Sequence, residues 1–441
     1  MNSTSNDERS VFRHWWPLAA SWLMMGLELP LVTATMARLP DPRISLAAYG
    51  GVVFPISLVI EGPIIMLLSA STAMARDRHS YELMNRFTWA LAGALTAIHA
   101  LVAFTPLFDI VAGQWLGVPV ETLEPARIGL RILTPWTAAI AYRRYQQGVL
   151  IRYERTGWIG VGTAVRLAAN LLVLGVGLAH GRVPGIVVGA SAVAAGVLSE
   201  AAFMGIAVRP VLRQFVYPAT TQTPPLRLAA FLRFYVPLAL TPLIGLASLP
   251  LASAAVSRMP NAFDSLATWP ALNGVVFLLR SVGFAFNEIV VARVEQPAAV
   301  PALRRFAIVL SMVVTGVLVL AVVTPLGHVW FEDASALSGD LAALAGTALI
   351  FSLALPALAV QQSWYQGLLV AGRKTRAVIE AVLVYVILLV ACLVAGVISG
   401  AVTGLYVGVL ANTIASLGQN LWMRSQARSV LDRLATTEAQ R

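Results

Sequence analysis

Apolar stretches of twenty or more residues recur along the whole chain, separated by short polar segments. Each is long enough to cross a lipid bilayer as a helix, which takes about 20 residues. The pattern predicts twelve such helices, over residues 14–38, 44–75, 81–107, 126–151, 157–180, 183–208, 231–258, 263–292, 303–328, 340–371, 376–398 and 400–424. Several exceed the minimum span, so tilting, kinking or projection beyond the lipid is expected. Pro30, Pro55, Pro63, Pro135, Pro242, Pro250 and Pro356 fall inside these segments and mark expected bends, because proline removes a rung of the helical ladder. The polar residues 1–13 precede a stretch too long for the apolar region of a signal peptide, so the first helix reads as a retained anchor.

The pattern is written twice. Residues 13–47 and 233–267 align at an offset of 220 with 14 of 35 positions identical, including Pro17 with Pro237, Leu29-Pro30-Leu31 with Leu249-Pro250-Leu251, and Arg38 with Arg258. Further on the offset is 219: Gln147-Gly148 falls on Gln366-Gly367, and Gly181, Gly185 and Gly189 fall on Gly400, Gly404 and Gly408. A repeat of this length, with six helices in each copy, predicts two halves of the same orientation, related by an axis along the membrane normal. The expected division is an N-terminal lobe at 1–208, a proline-rich cytoplasmic linker at 209–230, a C-terminal lobe at 231–424 and a cytoplasmic tail at 425–441. Two lobes with a central cleft, lined by helices 1, 2, 7 and 8, are the expected body. The glycine ladders, every fourth residue, predict tight packing of helices 6 and 12.

Composition agrees and removes other classes. Hydrophobic residues make up 58% of the chain and charged residues 12%, about half the share of a soluble domain. The single cysteine, Cys392, excludes an intramolecular disulfide. The formal net charge of +10 raises the question of nucleic acid, but the basic residues collect in alternate connections. The N-terminus, the loops near 76–86, 143–155, 209–233, 293–305 and 373–376, and the tail carry most of them. The opposite connections hold Asp109, Glu121, Glu124, Glu332, Asp333 and Asp340. Positive-inside placement then puts both termini in the cytoplasm, and no nucleic-acid partner is expected. The expected setting is a bacterial inner membrane.

Polar residues inside the spans are the candidates for function. Ser21, Glu28 and Thr35 form one stripe on helix 1, seven residues apart; Thr241 and Ser248 match it on helix 7. Glu61 lies in helix 2 beside Gly62-Pro63. Asn273, Arg280 and Asn287 line one face of helix 8, and at an offset of 220 Glu61 falls on Ser281, next to Arg280. Glu28, Glu61, Asn273, Arg280 and Asn287 are therefore the expected substrate- or ion-binding residues. Glu28 is the expected proton- or cation-responsive group. Arg280 is the expected anion contact, with Glu61 as its partner. Arg166, Glu200 and Glu380 read as structural. The run Gly367–Thr375 approaches a P-loop, but it closes a membrane helix and has no preceding strand. The five histidines, His14, His79, His99, His180 and His328, have no metal-ligand spacing. No enzymatic activity and no cofactor are expected. The expected partners are a small-molecule substrate, the bilayer and, for a coupled transporter, a proton or sodium ion.

The loop between helices 2 and 3, Ala75-Arg76-Asp77-Arg78-His79-Ser80, lacks the glycines usual in the major facilitator group. The Gln-Gly closing helices 4 and 10, followed by a basic turn and Thr156 or Thr375, resembles the multidrug/oligosaccharidyl-lipid/polysaccharide flippase (MOP) superfamily, which has the MATE fold. Within it, several segments resemble the progressive ankylosis (ANK) membrane proteins: His14-x-Trp16-Pro17-Leu18, Leu46-Ala-x-Tyr49-Gly50, Gly62-Pro63, Arg76-Asp77-Arg78, Ile350-Phe351-Ser352 with Pro356, and Thr403-Gly-x-x-x-Gly408. The resemblance implies a transporter of two six-helix lobes that exports small polyanions. Proton- or sodium-coupled antiport of drug cations, and flipping of a lipid-linked saccharide, stay open as alternatives.

Overall fold

A computed structural model describes residues 2–220, 225–294, 299–372 and 374–439. Pro224, Arg373 and residues 295–298 lie outside these, as do the side chains of Ser21 and Thr241. Among the described residues all regular structure is helical. In chain order the helices are α1 Asn2–Met36, α2 Pro42–Met74, α3 Arg78–Phe104, α4 Leu123–Arg152, α5 Gly157–His180, α6 Gly185–Ala207, α7 Leu228–Val256, α8 Ala262–Arg293, α9 Val300–Val323, α10 Gly339–Phe351 with Leu355–Ala371, α11 Thr375–Ser399 and α12 Gly404–Ala439. The two parts of α10 meet at 42°, just before Pro356.

Nine helices among the described residues are long and apolar enough to cross a membrane, ten if α10 counts as one bent span. The other two are α4 and α12. Helix α4 carries Arg127, Arg131, Arg143, Arg144 and Arg152 along its length, and α12 carries Asn412, Gln419, Asn420 and Arg424. Both place polar side chains inside, Arg143, Gln146 and Gln147 from α4 and Gln419 and Asn420 from α12. Two expectations are refined here. Arg143 and Arg144, which fall both in the span expected at 126–151 and in the basic segment expected near 143–155, are helical residues of α4. The segment expected as a tail at 425–441 continues α12 as far as Ala439.

The repeat is reproduced in hydrogen bonds. Gly185 N–H donates to Pro40 O (3.3 Å), and Gly404 N–H donates to Pro260 O (3.0 Å). Asp41 and Asn261 begin α2 and α8 in the left-handed conformation, at φ 53° and 58°. Gly181 and Gly400 end α5 and α11 at φ 67° and 58°, where a side chain would be strained. These two cap helices and do not belong to the packing ladders expected for α6 and α12. Gly185 and Gly189 do: a Cβ on Gly185 would meet Met36 O at 2.9 Å, and one on Gly189 would meet Met36 Sδ at 2.7 Å.

The change of offset has a structural cause. Trp15 Nε1–H donates to Val282 O (3.1 Å), and Tyr235 Oη–H donates to Pro63 O. The donors are 220 apart but the acceptors are 219 apart. One residue is therefore added in α2 between residues 47 and 63. A π turn, Tyr49–Val53, lies in that interval, whereas α8 is α-helical throughout. A single insertion accommodated within a continuing helix produces such a turn. The wider turn loosens carbonyls, and the one on Gly51 accepts from Ser253 Oγ–H of α7. Downstream of the turn the repeat partner of Glu61 is Arg280, not Ser281.

The chain divides into two compact units. The N unit is Leu31–Ser257; the C unit is Met1–Pro30 with Arg258–Arg441. Compared with lobes drawn in chain order, the first helices of the two repeats are exchanged. Most of α1 belongs with α8–α12, and α7 belongs with α2–α6. Large side chains account for this. In the C unit Trp15 meets Phe306 edge to face (5.3 Å), and Trp22 meets Phe284 (5.7 Å). In the N unit Phe231 and Tyr235 pack on Phe87 at 4.9 and 5.1 Å.

Candidate functional site

Each unit holds buried polar groups on the helices equivalent to α2, α4 and α6. In the N unit α2 and α4 approach closely at Gly148, where a Cβ would collide with Leu68 O and Ser71 Oγ. Hydrogen bonds close the seam: Ser71 Oγ–H donates to Tyr145 O (2.9 Å), Thr72 Oγ1–H to Gly148 O (3.1 Å) and Arg152 Nη1–H to Thr72 O (2.9 Å). The α5–α6 pair is close as well, since a Cβ on Gly196 would meet Arg166 O at 3.1 Å. These seams bring side chains of four helices together.

Glu61 ends an α-helical segment just before the 3₁₀ turn Gly62–Ile64. It is 3% exposed, and its Oε1 has no hydrogen-bond partner. Arg143 and Arg144 of α4 and Arg166 of α5 make up its electrostatic surroundings. Glu200 of α6, 1% exposed, is differently placed. Its carboxylate accepts from Arg143 Nη1 (2.7 Å) and Gln147 Nε2 (3.0 Å), with Arg166 Nη1 at 3.8 Å. Arg143–Glu200 is thus a closed, buried ion pair. The structural role expected for Arg166 and Glu200 fits this geometry. The sequence marks Gln147 only through the Gln-Gly turn and places Arg143 and Arg144 in a basic segment, so none of the three stands among the expected site residues.

In the C unit α1 packs against α8 at two small residues. A Cβ on Gly26 would meet Leu278 at 3.2 Å and Ser281 Oγ at 3.4 Å, and one on Gly274 would meet Pro30 at 3.1 Å. Glu28, half-buried, lies on α1 between those two contacts. Asn273, next to Gly274, and Arg280, next to Ser281, lie at the matching levels of α8 and are also half-buried. Asn287 Nδ2–H donates to Ser363 O of α10 (3.2 Å), so its amide ties two helices together. Arg280 has no carboxylate partner among the described residues. Its guanidinium lies 5.6 Å from the centre of the Phe284 ring, its Nε makes no hydrogen bond, and Tyr385 of α11 contributes to its electrostatic surroundings. A charge at mid-membrane costs about 2.5–3.5 kcal/mol on insertion scales, and an aromatic face offsets part of that.

The repeat relates the two clusters. At the offset of 219, Glu61 corresponds to Arg280, Arg143 to Gln362, Arg144 to Ser363, Arg166 to Tyr385 and Glu200 to Gln419. The N unit surrounds a carboxylate with guanidinium groups; the C unit has a single guanidinium at the carboxylate's place. Thus Glu61 has α4 and α5 arginines as charged neighbours, a set that differs from the Glu61–Arg280 pairing expected from sequence. At the level of Glu28, the N unit has Ser248, whose hydroxyl donates to Gly245 O of its own helix (2.6 Å).

No family model and no curated protein matches the chain. Solved structures do. An inward-facing multidrug resistance MATE family transporter of the MOP superfamily aligns over 94% of this chain and 98% of its own, with TM-score 0.66 and 16% identity. The chain has the MATE fold. The lipid II flippase MurJ, in an inward closed conformation, aligns over 95% of this chain and 89% of its own, with TM-score 0.66 and 15% identity. A MOP superfamily transporter from Pyrococcus furiosus aligns over 96% of both chains, with TM-score 0.58 and 18% identity; it is described as having a binding pocket of reverse polarity that suggests a different function. The resemblance read from the Gln-Gly turns thus leads to the right fold. None of these neighbours separates the ANK branch from the others.

Proposed function

We propose that the protein is a transporter working by alternating access that exports small organic or phosphorylated anions across a bacterial inner membrane, with both termini in the cytoplasm. The neighbours in fold are transporters and a flippase, which supports transport in general. The observation that carries the anion reading is Arg280: half-buried in α8, with an aromatic face beside it and no acidic partner among the described residues. A planar guanidinium receives a carboxylate or phosphate through two parallel hydrogen bonds. Asn273 and Asn287 extend a polar track on the same helix, and Glu61 marks the equivalent place in the other repeat. The segments that resemble ANK proteins favour small polyanions as the class.

A second reading is proton- or sodium-coupled antiport of cations, and Glu28 supports it. A half-buried carboxylate on α1, two residues from Pro30, is placed to bind a cation and couple it to a change of the helix. Flipping of a lipid-linked saccharide is the third reading, by analogy with the MurJ neighbour alone.

The test is to compare metabolites released by cells with and without the protein, and then to measure export of the leading anion from vesicles. Arg280→Ala should abolish export at wild-type expression. Arg280→Lys should express normally and export poorly, because an ammonium lacks the planar fork. Normal export by Arg280→Ala would remove the anion reading, and pH-independent export by Glu28→Gln would assign the coupling to Glu28.

A further inference from the structure

Resting on the anion reading above, we propose that Arg144 is the receiving group of a second anion site, inside the N unit, and that Glu61 is its built-in competitor, taking up a proton when the anion binds. The two arginines of α4 are adjacent in sequence but differ in what they meet. Arg143 is 5% exposed and closed onto Glu200. Arg144 is half-buried and makes no hydrogen bond or ion pair among the described residues, and its Nε is buried with no partner. Glu61 stands in the same cluster and is likewise without a hydrogen bond. A cation and a carboxylate therefore share one electrostatic environment without closing on each other.

That arrangement is costly as a purely structural device. A guanidinium inside a span needs an acceptor, since it carries five donors and no other way to satisfy them. Arg144 is half-buried and unclosed, whereas Arg143 is shut off against Glu200. The charged groups facing Glu61 are Arg143 and Arg144 from α4 and Arg166 from α5. Helices α3 and α7, which also pack against the Glu61 segment, contribute no charged group to its surroundings among the described residues. Glu200, on α6, is held by Arg143 and Gln147. An anion seated on Arg144 and an ionised Glu61 repel each other, so a bound anion and a proton on Glu61 go together. The ligand class is a small dianion, dicarboxylate or phosphate-like, that can use the guanidinium fork. The C unit has Ser363 in place of Arg144 and Arg280 in place of Glu61, so it offers a cation with no competitor.

The experiment is calorimetric titration of the purified full-length protein in lipid nanodiscs with oxalate and with sulfate. Neither dianion titrates between about pH 6 and 8, so proton uptake measured in buffers of different ionisation enthalpy belongs to the protein. Wild type should take up about one proton per protein, all of it with the dianion bound at Arg144, and that site should bind more tightly as pH falls. Arg144→Gln should weaken binding at this site about tenfold or more and abolish the proton uptake, while the Arg280 site still binds, as expected for losing a charged hydrogen-bond pair. Arg144→Lys, which keeps the charge and guards against a folding defect, should lose less. Glu61→Gln, nearly isosteric, should bind without proton uptake and with pH-independent affinity. Wild-type affinity in both Arg144 variants, or proton uptake that survives Glu61→Gln, would overturn the second site. If binding is then lost only in Arg280→Ala, the anion reading stands without it. If wild type binds neither dianion, the anion reading itself falls.

Discussion

At the scale of single residues, the N and C units are natural variants of each other. Where the N unit closes Arg143 on Glu200, the C unit has Gln362 and Gln419. Removing one partner of a buried pair leaves an uncompensated charge, at a cost of about 3–5 kcal/mol. Glu200→Ala should therefore lower the thermal midpoint sharply, read by fluorescence-detected size exclusion. Arg143→Gln with Glu200→Gln, which copies the C unit, should recover most of the loss; a double variant as unstable as the single one would refute the comparison. The glycines give a second contrast. Gly148→Ala would drive a methyl into Leu68 O, where overpacking costs about 1–3 kcal/mol. Gly316→Ala, on the exposed side of α9 with nothing within 4 Å, should leave stability unchanged or slightly raised. Only part of this was legible in the sequence. Glu61, Arg280 and the Asn273–Asn287 track follow from their depth in apolar runs. Arg143 and Arg144 do not, because near the end of a span a helical arginine and a loop arginine look alike in sequence.

At the scale of elements, spans and repeat were legible because hydropathy fixes spans and because the same side chains recur. The π turn could be read from sequence only as a change of offset, whose meaning needed the paired hydrogen bonds of Trp15 and Tyr235. It makes a distinct prediction. Deleting Gly51 removes the inserted residue and leaves the register of α8, which packs without a π turn. The variant should fold and run as a single species. Deleting Leu58 instead falls after the turn, in the α-helical segment that ends at Glu61. If the π turn persists, everything from Glu61 to Ser71 rotates by about 100° relative to α4, as one residue of a helix does. That variant should fail to fold or aggregate. Equal behaviour of the two deletions, measured as monodisperse yield, would show that the turn is not the compensating insertion.

At the scale of the whole molecule, the exchange of α1 and α7 between units was not readable in the chain. It is decided by where Trp15, Trp22, Phe231 and Tyr235 find large partners, and sequence patterns place those residues on a helix without saying which neighbour they meet. The charge carried per cycle, in contrast, follows from the chemistry of the two clusters. Moving one elementary charge through a membrane potential is worth about 2.3 kcal/mol per 100 mV, so export of a dianion alone gains about 4.6 kcal/mol per 100 mV from an inside-negative potential. If Glu61 releases its proton on the same side as the anion, one positive charge travels outward too and the gain halves. Vesicles of uniform orientation, clamped at stepped potassium diffusion potentials, separate these cases. Wild type should accumulate anion on the outer side with the shallower dependence on potential. Glu61→Gln, carrying the anion without the proton, should show the steeper one and lose sensitivity to a pH gradient. The same slope in both proteins would mean that Glu61 does not move a proton with the anion, whatever it does for binding.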